Sequence, residues 1–174
     1  MLSDRQKEYI KNLPKEIADK TVSIFPYEER GLEIAKTVID DIYSVEPNLE
    51  VFLVGSLPLK IAGQRDIDIT SNNSVSNFEI YKTKFENILG IPNKINDSSI
   101  VWHFNKGDYE ISFYIVDPTK SDQLQRQVQL NNWFKSNPRL LIEYEKLKLS
   151  LNGRPYKFYL ERKCEFFNEI LAKK

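Results

Sequence analysis

Cysteine is nearly absent from this 174-residue chain. Cys164 stands alone, which excludes an intramolecular disulfide and a thiolate metal cluster. Histidine is as scarce: His103 has no second imidazole with which to form a cluster. Net charge is absent too, with 25 Lys and Arg against 25 Asp and Glu. No global field therefore draws the molecule to nucleic acid or an anionic membrane. That balance suits a small substrate, or a short stretch of RNA, better than an extended nucleic-acid duplex. No apolar run approaches the roughly 20 residues needed to span a bilayer, so no membrane partner is expected. The N-terminal stretch MLSDRQKEYIKNLPKEIADK has mixed charge and lacks the apolar segment of a signal peptide. The expected location is cytoplasmic. Repeats, low-complexity tracts and linker-like stretches are also missing.

What is present is ample material for a core: 41% hydrophobic residues, including ten Phe and nine Tyr. A single domain of this length buries about 70% of its unfolded surface. Residues 3–19 have a helical pattern that Pro14 must break or kink. Thr21–Phe25 alternates as a short extended segment closed by Pro26. Apolar positions from Tyr27 to Val45 recur at helical spacing, and Val51–Val54 reads as a buried strand. Asp66–Thr70 alternates with period two. A helix is expected from about Val75 to Leu89, stopped by Gly90 and Pro92. Ser98–Phe104 and Tyr109–Val116 read as strands of a hairpin turned by Asn105-Lys106-Gly107-Asp108. Residues 121–135, 138–151 and 156–172 are helical in pattern, with Trp133, Phe134, Phe166 and Phe167 as core positions. The expected fold class is α+β, a small mixed sheet with helices on one side and a helical C-terminal part. One domain would then comprise a helical extension (1–20), an α/β core (20–118) and C-terminal helices (119–174).

The stretch VFLVGSLPLKIAGQRDIDIT, residues 51–70, concentrates the chemistry. Ten aspartates in the chain should produce roughly half a chance Asp-x-Asp pair, so Asp66 and Asp68 need context to count as a motif. On a strand their side chains share one face, about 7 Å apart at Cα, while Ile67 and Ile69 point into the core. Two carboxylates so placed can converge on hard divalent cations such as Mg²⁺. In the hairpin strand Ile111, Phe113 and Ile115 form the apolar face, leaving Glu110, Ser112 and Tyr114 opposite. If that strand neighbours Asp66–Thr70, Glu110 lands beside the aspartates, as a pair of metal ions would need. Asp108 shares the parity but falls in the turn and ranks second. Gly55 ends a buried strand, and Ser56 is placed to N-cap a short helix over Leu57–Ala62 that Gly63 closes. Such a turn offers backbone N–H groups to a phosphate, with Lys60 and Arg65 adding charge nearby. His103, between Trp102 and Phe104, reads as a hydrogen-bonded structural histidine.

Strand, Gly-Ser, short helix, Asp-x-Asp and a later acid resemble the nucleotidyltransferase superfamily of DNA polymerase β type. Three further stretches are similar to the GrpB family. They are Val22–Tyr27 before a helix, Leu130–Pro138 running into Glu143–Lys148, and Tyr159–Phe166. The likeness covers roughly residues 20–172. Family members carry a longer Pro-Gly-rich segment after Gly-Ser and often a single aspartate, and many have a His-x-His strand where this chain has Glu110-Ile111-Ser112. Both departures move this sequence toward the general catalytic pattern. The resemblance implies Mg²⁺ on Asp66, Asp68 and Glu110, and nucleoside triphosphate phosphates on Gly55 and Ser56. It also implies that Lys148 and Lys163 reach phosphate or substrate across a cleft. Without it, those two lysines read as the wet faces of helices.

The implied activity is transfer of a nucleoside monophosphate from NTP to a hydroxyl on a small molecule, a protein or an RNA end. The alternative is a nucleotidyltransferase fold that binds a nucleotide or a protein without turnover. Asp66-x-Asp68-x-Thr70 also fits the opening motif of haloacid dehalogenase-type phosphatases. Ala62-Gly63-Gln64-Arg65, in place of a buried strand before it, argues against that reading.

Overall fold

The alternation of Asp66, Ile67, Asp68 and Ile69 organises the molecule, because one face of that strand must be buried and the other must stay polar. The computed structural model describes residues 1–172. In it Asp66–Asn72 forms β2, flanked by β1 (Val51–Val54) and β5 (Tyr109–Val116). β1 runs antiparallel to β2, with Val54 opposite Asp68. β5 runs parallel to it, pairing Asp66 with Glu110 and Asp68 with Ser112. β4 (Ser99–Lys106) completes the hairpin with β5, and the two-residue β3 (Lys94–Ile95) closes the edge, giving the order β1-β2-β5-β4-β3. This mixed five-stranded sheet and its helices make the expected α+β fold.

Ile67, Ile69, Ile111, Phe113, Ile115, Ile100 and Trp102 form one continuous apolar face. Against it pack Ala35, Val38 and Ile42 of α3 (Arg30–Val45), with Phe78, Tyr81 and Phe85 of α4 (Phe78–Leu89). The Phe85 ring meets Trp102 and Phe113 edge-on, each at 5.7 Å between centroids. The first turn expected at Val75 is a 3₁₀ turn, Val75–Asn77, whose cap is the Ser74 side chain accepting from the Ser76 N–H. α4 itself begins at Phe78 and ends at Gly90, whose φ of +77° favours glycine.

Pro14 does break the N-terminal helix, into α1 (Asp4–Lys11) and α2 (Lys15–Ala18). Ser3 and Gln6 form a reciprocal capping box on α1. Thr21–Phe25 does not join the sheet. It makes single bridges, Thr21 to Pro155 and Phe25 to Gly63. Val22 and Ile24 bury beside Leu151 and Tyr159, which holds the segment against the helical region rather than at a sheet edge.

The C-terminal helices α5 (Gln123–Ser136), α6 (Pro138–Ser150) and α7 (Tyr156–Leu171) have a core of their own. Phe134, Tyr144 and Ile170 pack on Leu59 and Ile61, with Trp133, Phe166 and Phe167 around them. The helices are therefore not all on one side: α3 and α4 cover the apolar face, and the C-terminal group stands beside the polar one. Truncating Phe85 to Ala should cost about 3–5 kcal/mol. Urea unfolding would read this as a lower midpoint at unchanged slope, whereas an unshifted midpoint would mean the ring is not a core element.

Candidate functional site

The polar face of the sheet floors a cleft of about 550 Å³. Asp66 and Asp68 from β2, Glu110, Ser112 and Tyr114 from β5, and His103 from β4 line it. Register explains the set. At one level β2 to β4 present Asp66, Glu110 and Asn105, and at the next Asp68, Ser112 and His103. The roof is the N-terminal strap, including Tyr9, Ile17, Lys20–Ser23 and Phe25, with Tyr156 of α7 beside it. No helix among the described residues is long and apolar enough to cross a membrane.

Gly55 follows β1 directly. Its φ is +84°, and an added Cβ would lie 3.0 Å from Asp68 Oδ2. A side chain there would be strained and would press on the carboxylate, so the Gly-Ser turn and Asp68 are built as one unit. Asn131 of α5 fixes the turn from behind, its Nδ2 donating to the Gly55 carbonyl at 3.4 Å. Gly63 supplies a second close approach. A Cβ there would stand 2.6 Å from Ser56 Oγ and 3.6 Å from Lys148 Nζ.

Ser56 departs from its expected role. The short helix is a single 3₁₀ turn, Leu57–Leu59, and the Ser56 side chain caps nothing. Lys60, in the left-handed region at φ 56°, ends it, and Gly63 instead pairs with Phe25. Three residues cannot sum a helix dipole, so any attraction for phosphate must come from side-chain charge and local N–H groups. Lys60 and Arg65 do not supply that charge freely. Lys60 faces Glu29 at 3.6 Å, and Arg65 is clamped by Glu28 at 2.8 Å and Asp108 at 2.5 Å over the Phe25 ring. Asp108, the second-ranked metal ligand, is taken up by Arg65 and by Arg30 at 3.5 Å.

The cations that act on the two aspartates come from the C-terminal helices, behind the cleft lining. Lys148 is buried, 3% exposed, so it is not a wet-face residue. Burial pushes its ammonium down to about 8, against the pull of Asp66 and Asp68. Lys163, half-buried on α7, is held in its charged form by the Tyr144 and Tyr159 phenols and then by the same two carboxylates. Desolvation, reinforced by Asp66, raises the Asp68 carboxyl to about 7, while Lys163 and Lys148 pull it down. The two ammoniums thus act on the Asp68 carboxylate electrostatically, without an ion pair within 4 Å among the described residues.

Asp66 and Asp68, adjacent on one face, fit a divalent cation by donor type. Among the described residues no three carboxylate, imidazole or thiol groups converge tightly enough to hold one. Glu110 lines the cleft beside Asp66 but is exposed and does not close a tight ligand set with the aspartates.

Sequence reasoning missed Gly63, Asn131 and His103 as parts of the site. His103 keeps the hydrogen bond expected of it, Nδ1 to Ser112 Oγ at 2.8 Å, but is exposed on the cleft floor. Its parity with Val101 and Asn105 was the available signal.

Comparison of the fold with solved structures places it beside the conserved protein GrpB from Enterococcus faecalis. The TM-score is 0.63 at 14% identity, over 85% of this chain and 99% of that one. The chain has the GrpB fold. In that α+β arrangement the Gly-Ser turn follows β1 and the Asp-x-Asp pair lies on β2. Two structures of Cid1 also align, one described for its RNA terminal uridylyl transferase activity and one for UTP selectivity as a poly(U) polymerase. Their TM-scores are 0.49 and 0.48 at 14% and 12% identity, each over 83% of this chain. This chain with the GrpB fold spans 48% and 50% of those Cid1 chains. No protein-family model and no curated protein sequence matches it.

The Asp68 shift has a sign that can be tested. Its folded value of about 7 exceeds the ordinary carboxylate value of 3.8. Its contribution to stability is thus complete below about pH 4 and lost as pH rises through 7. After discounting for partial exposure and for the lysines, Asp68→Asn should raise stability at pH 8 by about 1–3 kcal/mol. The melting temperature should rise by several degrees at pH 8 and stay unchanged at pH 4. Parallel melting-versus-pH curves for the two proteins would show that Asp68 is not desolvated.

Proposed function

We propose that the cleft carries out Mg²⁺-dependent transfer of a nucleoside monophosphate from NTP to an acceptor hydroxyl, releasing pyrophosphate. The observation that carries this reading is the pairing of Asp66 and Asp68 on one strand face, opposite the ammoniums of Lys148 and Lys163. Such a set matches a magnesium–triphosphate complex, with carboxylates for the metal and ammoniums for the phosphate oxygens.

In this reading Asp66 and Asp68 hold Mg²⁺, and Glu110 completes a second ion position. Bound there, the metal would neutralise charge developing on the transferred phosphate. Gly55 and Ser56 hold the β- and γ-phosphates. Lys148, next to Ser56 and Gly63, pairs with them. Lys163 faces the same carboxylates from α7 and supplies the second cation. Lys60 and Arg65, neutralised by their own acids, shape the rim instead.

A specific observation favours a second reading, in which the fold binds a nucleotide without turnover: among the described residues no three metal ligands converge.

Calorimetric titration with ATP, GTP, CTP and UTP, with and without Mg²⁺, separates these. The proposal expects binding of at least one nucleotide that strengthens with Mg²⁺ and weakens about 100-fold or more in Asp66→Ala/Asp68→Ala, with loss of pyrophosphate release. Tight binding indifferent to metal, with no pyrophosphate formed, would establish the binding module. No nucleotide binding to the folded protein would overturn both.

A further inference from the structure

Asp68, Ser112 and His103 occupy one level on three neighbouring strands. Adjacent strands lie about 4.8 Å apart, so His103 and Asp68 are separated by about 10 Å at Cα. His103 Nδ1 meets Ser112 Oγ at 2.8 Å, and Ser112 also hydrogen-bonds the Tyr114 phenol. The His103 ring stands edge-on to Tyr114, with centroids at 5.8 Å. These contacts lock the imidazole in one orientation. In the tautomer whose Nδ1–H donates to Ser112 Oγ, Nε2 carries a lone pair and has no hydrogen-bond partner among the described residues.

Around His103 the lining adds the neutral polar side chains of Ser23, Thr21 and Gln64, with Tyr114 and Tyr156 offering flat aromatic surface, while the cleft's acids are Asp66, Asp68 and Glu110. The ammoniums of Lys148 and Lys163 act on the Asp66 and Asp68 side, and among the described residues Lys20 is the one Lys or Arg lining this cleft. A polyanionic strand would need a run of cations here. Hydroxyl, amide and aromatic groups around a fixed hydrogen-bond acceptor instead match a neutral, polyhydroxylated ring.

We propose that the His103–Ser112 side of the cleft is the acceptor subsite, that it takes a neutral sugar or polyol, and that His103 Nε2 is the group that accepts its proton. This rests on the nucleotidyl-transfer reading. The acceptor oxygen bonds to the α-phosphorus of NTP as the bond from that phosphorus to the bridging oxygen of the β-phosphate breaks. Pyrophosphate leaves with that electron pair. The hydroxyl proton passes to Nε2 and then to water, so the imidazole is regenerated.

The chain has a single histidine, so its imidazole gives one unambiguous set of ring signals. The full chain, saturated with Mg²⁺ and an α,β-methylene NTP analogue, is titrated separately with ribose, glucose, myo-inositol and a short oligoribonucleotide. At least one sugar or polyol is expected to shift the ring signals, and the oligoribonucleotide is not. In His103→Asn, whose amide can keep the bond to Ser112 but lacks Nε2, sugar-dependent pyrophosphate release should fall about 100-fold or more. NTP affinity should stay within about twofold, which a merely structural histidine would not combine with lost turnover. Nucleotide binding with a ring that no sugar or polyol moves, a ring moved by the oligoribonucleotide alone, or full turnover in His103→Asn would each overturn the subsite while leaving nucleotidyl transfer standing. Absence of nucleotide binding would overturn both.

Discussion

The structure depends on one electrostatic constraint, the confinement of Asp66 and Asp68 with Lys148 and Lys163 in a space that water reaches poorly. Asp68 and Lys148 are two members for which burial disfavours the charge. Desolvation raises Asp68 to about 7 and lowers Lys148 to about 8, so each sign is stabilised chiefly by the other. A buried ion group of this kind is weak support for a fold, because hydrophobic residues of similar volume would pack at lower desolvation cost. Charges brought together from β2, α6 and α7 at this cost are what the proposed nucleotide site would use, exchanging internal partners for those of a ligand.

Much else follows from holding those charges together. β2 lies between an antiparallel and a parallel neighbour, so its polar face is flanked by Val54 and Gly55 on one side and by Glu110 and Ser112 on the other. Gly55 and Gly63 remove two Cβ atoms where backbone must approach Asp68 and Ser56. The separate C-terminal core around Phe134 and Tyr144 positions α6 and α7, whose Lys148 and Lys163 act on Asp68. The Arg65 clamp with Glu28 and Asp108 seals the rim and takes surplus charge out of the floor.

The strand content and the carboxylate row were legible because they rest on period two. Ile67 and Ile111 had to share a core, and that fixed Asp66 beside Glu110. Terminal details were less legible. Val75 begins a 3₁₀ turn rather than a helix, and Ser56 caps nothing, because Pro58 and the tight return at Lys60 leave room for only one turn. Lys148 looked like a solvated helix residue, since its burial comes from the packing of α6 on Gly63 and Ser56, a contact between distant segments that no local pattern encodes. Arg65 looked like a free cation, because its two acids lie 37 and 43 residues away. His103 was set aside for want of a second histidine, although its partner is a serine on the next strand.

The most direct test of the central claim is crystallographic. Crystals of the protein grown with an NTP analogue and soaked in Mn²⁺ would be measured at a wavelength where manganese scatters anomalously. The account predicts a peak within coordination distance of both the Asp66 and Asp68 carboxylates, with the Lys148 and Lys163 ammoniums turned to the phosphates. Anomalous density absent from that position, with the Lys148 and Lys163 ammoniums making no contact to the bound phosphates, would contradict it.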